Sequence, residues 1–273
     1  MRKRPSTSSR MMRLTLSAKS RKLNSALSMS KGNPPEMSPD LERKTTVGII
    51  QTGRLGGSLG VKYGEYPEMF MDLFEGEPFD YVVYPAIEGK LPKHPLECDA
   101  WVITGSKHGV YEDFDWIKPL EVFIRKLVAS GQPTVGVCFG HQIMAQAMGG
   151  KVEKFSGGWC VGRVTYADIA NNSEASLLAF HQDQVITPPK NTDVWLTSDF
   201  CMHAGLKYSP TCFSLQPHPE HTLPFLVDLI NQRRGVQLSV EVADDGLASL
   251  AASNDQQQYG LWIAEILKGD RRL

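Results

Sequence analysis

The sequence predicts an α/β fold: one domain with a three-layer plan, a mostly parallel central sheet and helices on both faces. Three observations predict it. Short apolar runs alternate with amphipathic stretches from residue 45 onward, which is how strands and crossover helices read. One run, Thr134-Val135-Gly136-Val137, is apolar throughout, as expected of a parallel strand buried on both faces. No repeat period marks a solenoid, and at 273 residues the chain is long enough for a large core.

The elements follow in order. Val47–Ile50 is a first apolar strand. Tyr66–Phe74 sets Met69, Phe70, Leu73 and Phe74 on one helical face. Tyr81–Tyr84 and Ala100–Thr104 are the next strands, and Leu120–Val128 repeats Leu120, Phe123, Ile124, Leu127 and Val128 at helical spacing. After Thr134–Val137, a helix is expected over His141–Met148, stopped by Gly149-Gly150. A strand pair is expected near Trp159–Ala167 and a strand near Phe213–Leu215. Helices are expected over Pro224–Arg233 and Gln258–Leu267.

The first 44 residues differ from the rest. Nine Lys or Arg residues fall between Met1 and Pro35 and no acid precedes Glu36. Such a Ser-rich basic stretch reads either as a disordered tail or as an organellar transit peptide, and Asn33-Pro34-Pro35 to Pro39 as a linker. The domain proper is expected over residues 45–273.

Twenty-nine basic and 30 acidic residues give a net charge of -1, which provides no positive field for nucleic acid. No run of about 18 apolar residues exists to span a membrane. Five scattered cysteines without a C-x-x-C pair argue against a disulfide framework or zinc ribbon. They point to a reducing compartment, cytoplasmic unless the leader directs the chain to an organelle.

The sharpest chemical signal is Val135-Gly136-Val137-Cys138-Phe139-Gly140-His141-Gln142. A buried strand, Gly-x-Cys-x-Gly and a helix make a nucleophile elbow with cysteine in place of serine. Side chains at the two glycine positions would collide with neighbouring backbone. The turn lifts the Cys138 sulfur to a helix N-terminus, which favours thiolate, and leaves the Phe139 N–H to face a developing oxyanion. A base is supplied by Gln216-Pro217-His218-Pro219-Glu220. Prolines on both sides predict an extended segment with His218 and Glu220 on one side, so that the carboxylate can fix the imidazole tautomer. His141, too close in sequence to fold back on Cys138, reads as structural. The Gly53–Gly60 stretch follows a strand but matches neither G-x-G-x-x-G nor G-x-x-x-x-G-K-[ST]. His218, Glu220 and His221 hint at a metal, but no Pro-Cys-x-x-Cys pair accompanies them. No cofactor is expected.

Gly-Val-Cys-Phe-Gly-His-Gln around Cys138 and Gln-Pro-His-Pro-Glu around His218 resemble the class I (triad-type) glutamine amidotransferases. The similarity is to stand-alone members like the amidotransferase domain of GMP synthetase, and to plant γ-glutamyl peptidases. Tyr63–Phe70, Ile103-Thr104-Gly105-Ser106, Gly157-Gly158-Trp159 and His181–Val185 extend it. The resemblance implies a flavodoxin-like fold and a small-molecule γ-glutamyl substrate attacked by Cys138 to give a thioester. It implies His218 as proton shuttle, Glu220 as its orienter and Gly105 and Phe139 as oxyanion donors. Gln142, with the backbone around Gln182 and Asp183, would bind the glutamyl group. Phe180 stands where the family often has a small polar residue. The expected activity is that of a free-standing hydrolase, or of a glutaminase subunit working with a separate synthetase protein. A catalytically silent regulatory module on the same scaffold is the remaining reading.

Overall fold

The structure is a computed structural model describing residues 43–273. The expectations for the basic leader fall on residues outside this range. The first half of the domain runs β1 (Thr45–Gln51), α1 (Gly57–Tyr63), α2 (Tyr66–Leu73), β2 (Phe79–Pro85), β3 (Ala100–Ile103), α3 (Ile117–Ser130), β4 (Thr134–Val137) and α4 (Phe139–Ala147). It continues with β5 (Lys151–Lys154), β6 (Cys160–Asp168), β7 (Ser173–His181), β8 (Asp183–Thr187), β9 (Asp193–Thr197), β10 (Gly205–Ser209) and β11 (Cys212–Leu215). Helices α5 (Leu223–Arg233), α6 (Val240–Ser249) and α7 (Gln256–Lys268) close the chain.

Nine strands form one mixed sheet in the order β2-β1-β3-β4-β11-β10-β9-β6-β7. The first five are mutually parallel, and the last four extend them antiparallel. A separate ribbon pairs β5 with β8. Alternation along the central strands sorts the core into two layers. Val47, Ile49, Val102, Val135 and Val137 pack with Phe70, Phe74 and the α7 residues Trp262 and Ile263 on one face. Ile50, Trp101 and Ile103 pack with Leu120, Ile124, Ile143 and Met144 of α3 and α4 on the other. This is the α/β architecture the alternating pattern predicts.

Four differences have local causes. The Trp159–Ala167 segment is a single long strand, β6, whose antiparallel partner β7 follows later. Strands β5, β8, β9 and β10 escape sequence reading because they are four or five residues long and partly polar. Helices α1 and α6 carry internal glycines and valines, poor helix formers that tertiary packing overrides. Helix α4 starts at Phe139, inside the elbow, two residues before the periodic pattern shows.

The parallel topology positions the site. Gly105 lies just past the C-terminal end of β3, Cys138 directly after β4 and His218 three residues past β11. These strands are neighbours with their C-terminal ends together, which is where open α/β sheets bind ligands.

Candidate active site

Cys138 sits at φ 52°, ψ -104°, a conformation costly for any residue with a Cβ. The surrounding backbone imposes it. Its N–H donates to the Leu215 carbonyl at 2.9 Å, and its own carbonyl accepts from Gln142 N at 3.0 Å. The flanking glycines are sterically required. A Cβ on Gly136 would lie 2.6 Å from the Gly140 carbonyl oxygen, and one on Gly140 would lie 2.2 Å from the Ile103 oxygen. Helix α4 therefore packs against β3 and β4 at backbone contact distance. Among the described residues, nothing accepts from the amides of Gly105 and Phe139.

His218 and Glu220 meet through a turn, which corrects the extended segment expected from the two prolines. His221 N donates to the His218 carbonyl at 3.3 Å, closing a four-residue turn with Pro219 second and Glu220 third. Proline presets the φ angle that the second turn position needs, so it favours this turn as readily as extension. Within it His218 Nδ1 donates to Glu220 Oε1 at 2.7 Å, with both side chains buried. The histidine backbone is anchored through its N–H to the Leu178 carbonyl at 2.8 Å. A Cβ built on Gly105 would lie 3.3 Å from His218 Cε1 and 3.8 Å from Cys138 Cβ. Three separate loops thus converge on one point.

The electrostatics single out one imidazole. Burial opposes a charge on His218, but the neighbouring Cys138 and Glu220 outweigh it and raise its pKa to about 10. Burial, then the charge of His218, lowers His181 to about 3 and His221 well below the ordinary imidazole range. His141, held neutral by burial, accepts or donates at 2.8 Å with Ser214 Oγ and ties α4 to β11, the structural part assigned to it. The site therefore holds one cationic histidine among neutral ones, beside a sulfur.

Gln142, Gln182 and Asp183 line the same cleft of about 520 Å³ as Cys138 and His218. Their polar atoms are held largely by neighbouring groups of the protein. Gln142 Nε2 donates to the Asp183 carbonyl at 2.9 Å and to Gln216 Oε1 at 3.0 Å, and His181 Nδ1 donates to that same carbonyl at 3.2 Å. Gln182 Nε2 reaches the Phe155 carbonyl at 3.4 Å, and the Asp183 carboxylate accepts from Tyr111 at 2.9 Å across the cleft mouth. Sequence reading missed the outer wall: Arg54, Tyr66, Tyr111, Trp159 and Arg233. Arg54, Tyr66 and Trp159 lay in stretches with a signal, though read for other parts, and Tyr111 and Arg233 are brought in by folding alone. Phe180 joins Trp159 there, ring centroids 5.3 Å apart. A larger hollow of about 700 Å³, beside Asp168, Glu174 and Trp262, contains none of these residues.

Two rival sites fail on geometry. The amides of Leu55 and Gly56, which a bound phosphate would need, donate to the Glu65 carboxylate at 2.7 and 3.1 Å. Glu65 also forms the capping box of α2 with Glu68. Donor atoms of His218, Glu220 and His221 lie within 4.8 Å of one another, but the two imidazoles are stacked 7° from parallel. Ring lone pairs lie in the ring plane, so these two do not converge on one ion.

The sequence matches the model of the class-I glutamine amidotransferase family over residues 86–224. The chain belongs to this family and is a hydrolase- or amidotransferase-type domain. Among its relatives, gamma-glutamyl peptidase 4 of Arabidopsis thaliana is 31% identical over 186 residues, covering 62% of this chain and 73% of the relative. Gamma-glutamyl peptidase 2 of the same plant is 29% identical over 227 residues, covering 77% and 90%. The fold matches a glutamine amidotransferase from Thermotoga maritima with a TM-score of 0.65 at 17% identity, covering 84% of this chain and 98% of that one.

Proposed function

We propose that the protein hydrolyses a γ-glutamyl amide through a thioester on Cys138, and that its preferred substrates are γ-glutamyl peptides or amines rather than glutamine. The observation that carries the reading is the buried Cys138–His218–Glu220 cluster at the ends of two adjacent parallel strands, β4 and β11. The sulfur, paired with protonated His218, attacks the γ-carbonyl carbon. The Gly105 and Phe139 amides, facing no other acceptor among the described residues, stabilise the oxyanion at the positive end of α4. The C–N bond breaks as His218 Nε2 gives its proton to the departing amine, leaving a C–S thioester. Water then attacks that carbon, His218 takes its proton, and the C–S bond breaks to release a γ-carboxylate. Glu220 holds Nδ1 throughout and so aims Nε2.

The preference for a larger leaving group draws on the cleft, which extends from the sulfur to Trp159, Arg54 and Arg233. That is more room than ammonia needs. Relatives named gamma-glutamyl peptidases point the same way. The test compares kcat/KM for a γ-glutamyl dipeptide and for glutamine, with His218→Ala and Glu220→Gln alongside. The dipeptide is expected to be the better substrate, with His218→Ala losing far more activity than Glu220→Gln, since the orienter moves no proton. A glutamine preference, or turnover only on adding a synthetase partner, favours the glutaminase-subunit reading. Full activity in His218→Ala refutes the mechanism.

A further inference from the structure

The turn that joins His218 to Glu220 also stacks a second histidine on the first. Residues one and four of a tight turn lie side by side, and here they are His218 and His221. Their ring centroids are 3.8 Å apart and their planes 7° from parallel. His221 is almost wholly buried, yet among the described residues neither ring nitrogen has a hydrogen-bond partner. Its Nε2 stays 3.7 Å from Glu220 Oε1, beyond hydrogen-bonding distance. Its ring is held by the edge of Phe225, 4.6 Å away at 61°, and Phe225 packs in turn on Tyr63 at 5.4 Å. Gln256 Nε2, from the start of α7, donates to the carbonyls of both His218 and His221 at 2.5 and 3.0 Å.

A buried imidazole without hydrogen bonds interacts mainly through its faces and edges. One hydrogen bond to Glu220 fixes where His218 Nδ1 points but leaves the ring free to pivot about that axis. A flat partner at stacking distance removes this freedom. It also presents π-electron density to a cation, which a second charged ring would not.

We propose that His221 is a positioning residue: its stacked ring, backed by Phe225, fixes the plane of His218 and so keeps Nε2 aimed at the Cys138 sulfur. This rests on the proposed role of His218. It makes the functional unit four residues, with Pro219 setting the turn that brings the last three together.

The test uses the full chain and a chromogenic probe, γ-glutamyl-p-nitroanilide, with two variants of His221 that both fill the space without nitrogens. His221→Phe keeps a flat ring, and His221→Leu does not. His221→Leu is expected to lower kcat roughly 10- to 100-fold with KM little changed, because a small misaim of a proton donor costs turnover rather than binding. His221→Phe is expected to recover most of the loss. A second readout needs no turnover: the rate at which iodoacetamide labels Cys138 at pH 7. It should fall in His221→Leu and be largely restored in His221→Phe, because a His218 ring aimed at the sulfur activates it as a nucleophile. Wild-type kcat and labelling in His221→Leu overturn the proposal. So does equal impairment of both variants, which would mean that the nitrogens or simple packing matter. His218→Ala on the same probe separates the readings. If it is active, the proposed function fails; if it is dead while His221→Leu is fully active, only the positioning role fails.

Discussion

Replacing Cys138 by glycine should stabilise the protein relative to replacing it by alanine, the reverse of the usual order. Alanine keeps a Cβ at φ 52°, ψ -104° and so keeps the strain, about 1–3 kcal/mol for a residue in such a region. Glycine removes it. Against this stand the extra chain entropy of glycine, about 0.5–1 kcal/mol, and at most about 0.8 kcal/mol for the lost methyl. The Cys138 side chain is buried at the edge of the core where it borders the cleft, so the second term is an upper bound. Setting about 1–3 kcal/mol of strain against about 0.5–1.8 kcal/mol places Cys138→Gly between roughly 0.8 kcal/mol less stable and roughly 2.5 kcal/mol more stable than Cys138→Ala, with the middle of the range near 1 kcal/mol in favour of glycine. The control is Ala248→Gly, an exposed position within α6, which should cost about 1 kcal/mol. Urea denaturation of the four proteins, compared at constant m, gives the differences. If Cys138→Gly is less stable than Cys138→Ala by as much as the Ala248 control loses, the elbow stores no strain and the reasoning is wrong.

Two other predictions follow from the same geometry. Gly140→Ala would place a Cβ 2.2 Å from the Ile103 carbonyl oxygen, so α4 must retreat from β3 by about 1 Å; a loss of about 1–3 kcal/mol or more in urea is expected, and a loss below 0.5 would show that the helix can slide freely. Acid should destabilise the fold through His141 and His181, whose folded values near 3 lie below the unfolded value of about 6.5. Between these values the unfolded chain binds the extra protons, so stability falls as pH drops, by about 1.4 kcal/mol per pH unit for each group once well below 6.5. His218 has the opposite sign: its folded value near 10 stabilises most below pH 6.5, and this contribution is lost as pH rises through 10. A urea midpoint that does not decline from pH 7 to pH 5 would contradict the neutral burial of His141 and His181.

What the sequence determined by itself was local and periodic. The alternation of Val47–Ile50, Ala100–Thr104 and Thr134–Val137 with amphipathic helices carried the α/β class, because burying a parallel strand on both faces demands continuous apolar residues. Gly136 and Gly140 around Cys138 were legible as an elbow, since backbone-to-backbone packing tolerates no side chain there. The tertiary structure decided everything that depends on contacts between distant segments. It chose the turn over the extended path at Pro217–Glu220, where proline permits both and the anchoring carbonyl of Leu178 selects one. It completed the antiparallel half of the sheet, adding to the long strand β6 its partner β7 and the two five-residue, partly polar strands β9 and β10 that do not announce themselves. It brought Gly105, 33 residues before Cys138, and His218, 80 residues after it, to a common point, because β3, β4 and β11 are sheet neighbours though not all sequence neighbours. And it laid His221 on His218, a contact that needs the turn, the packing of Phe225 on α5 and the reach of Gln256 from α7 together. No stretch of sequence contains all three, and that is why only the folded chain could show it.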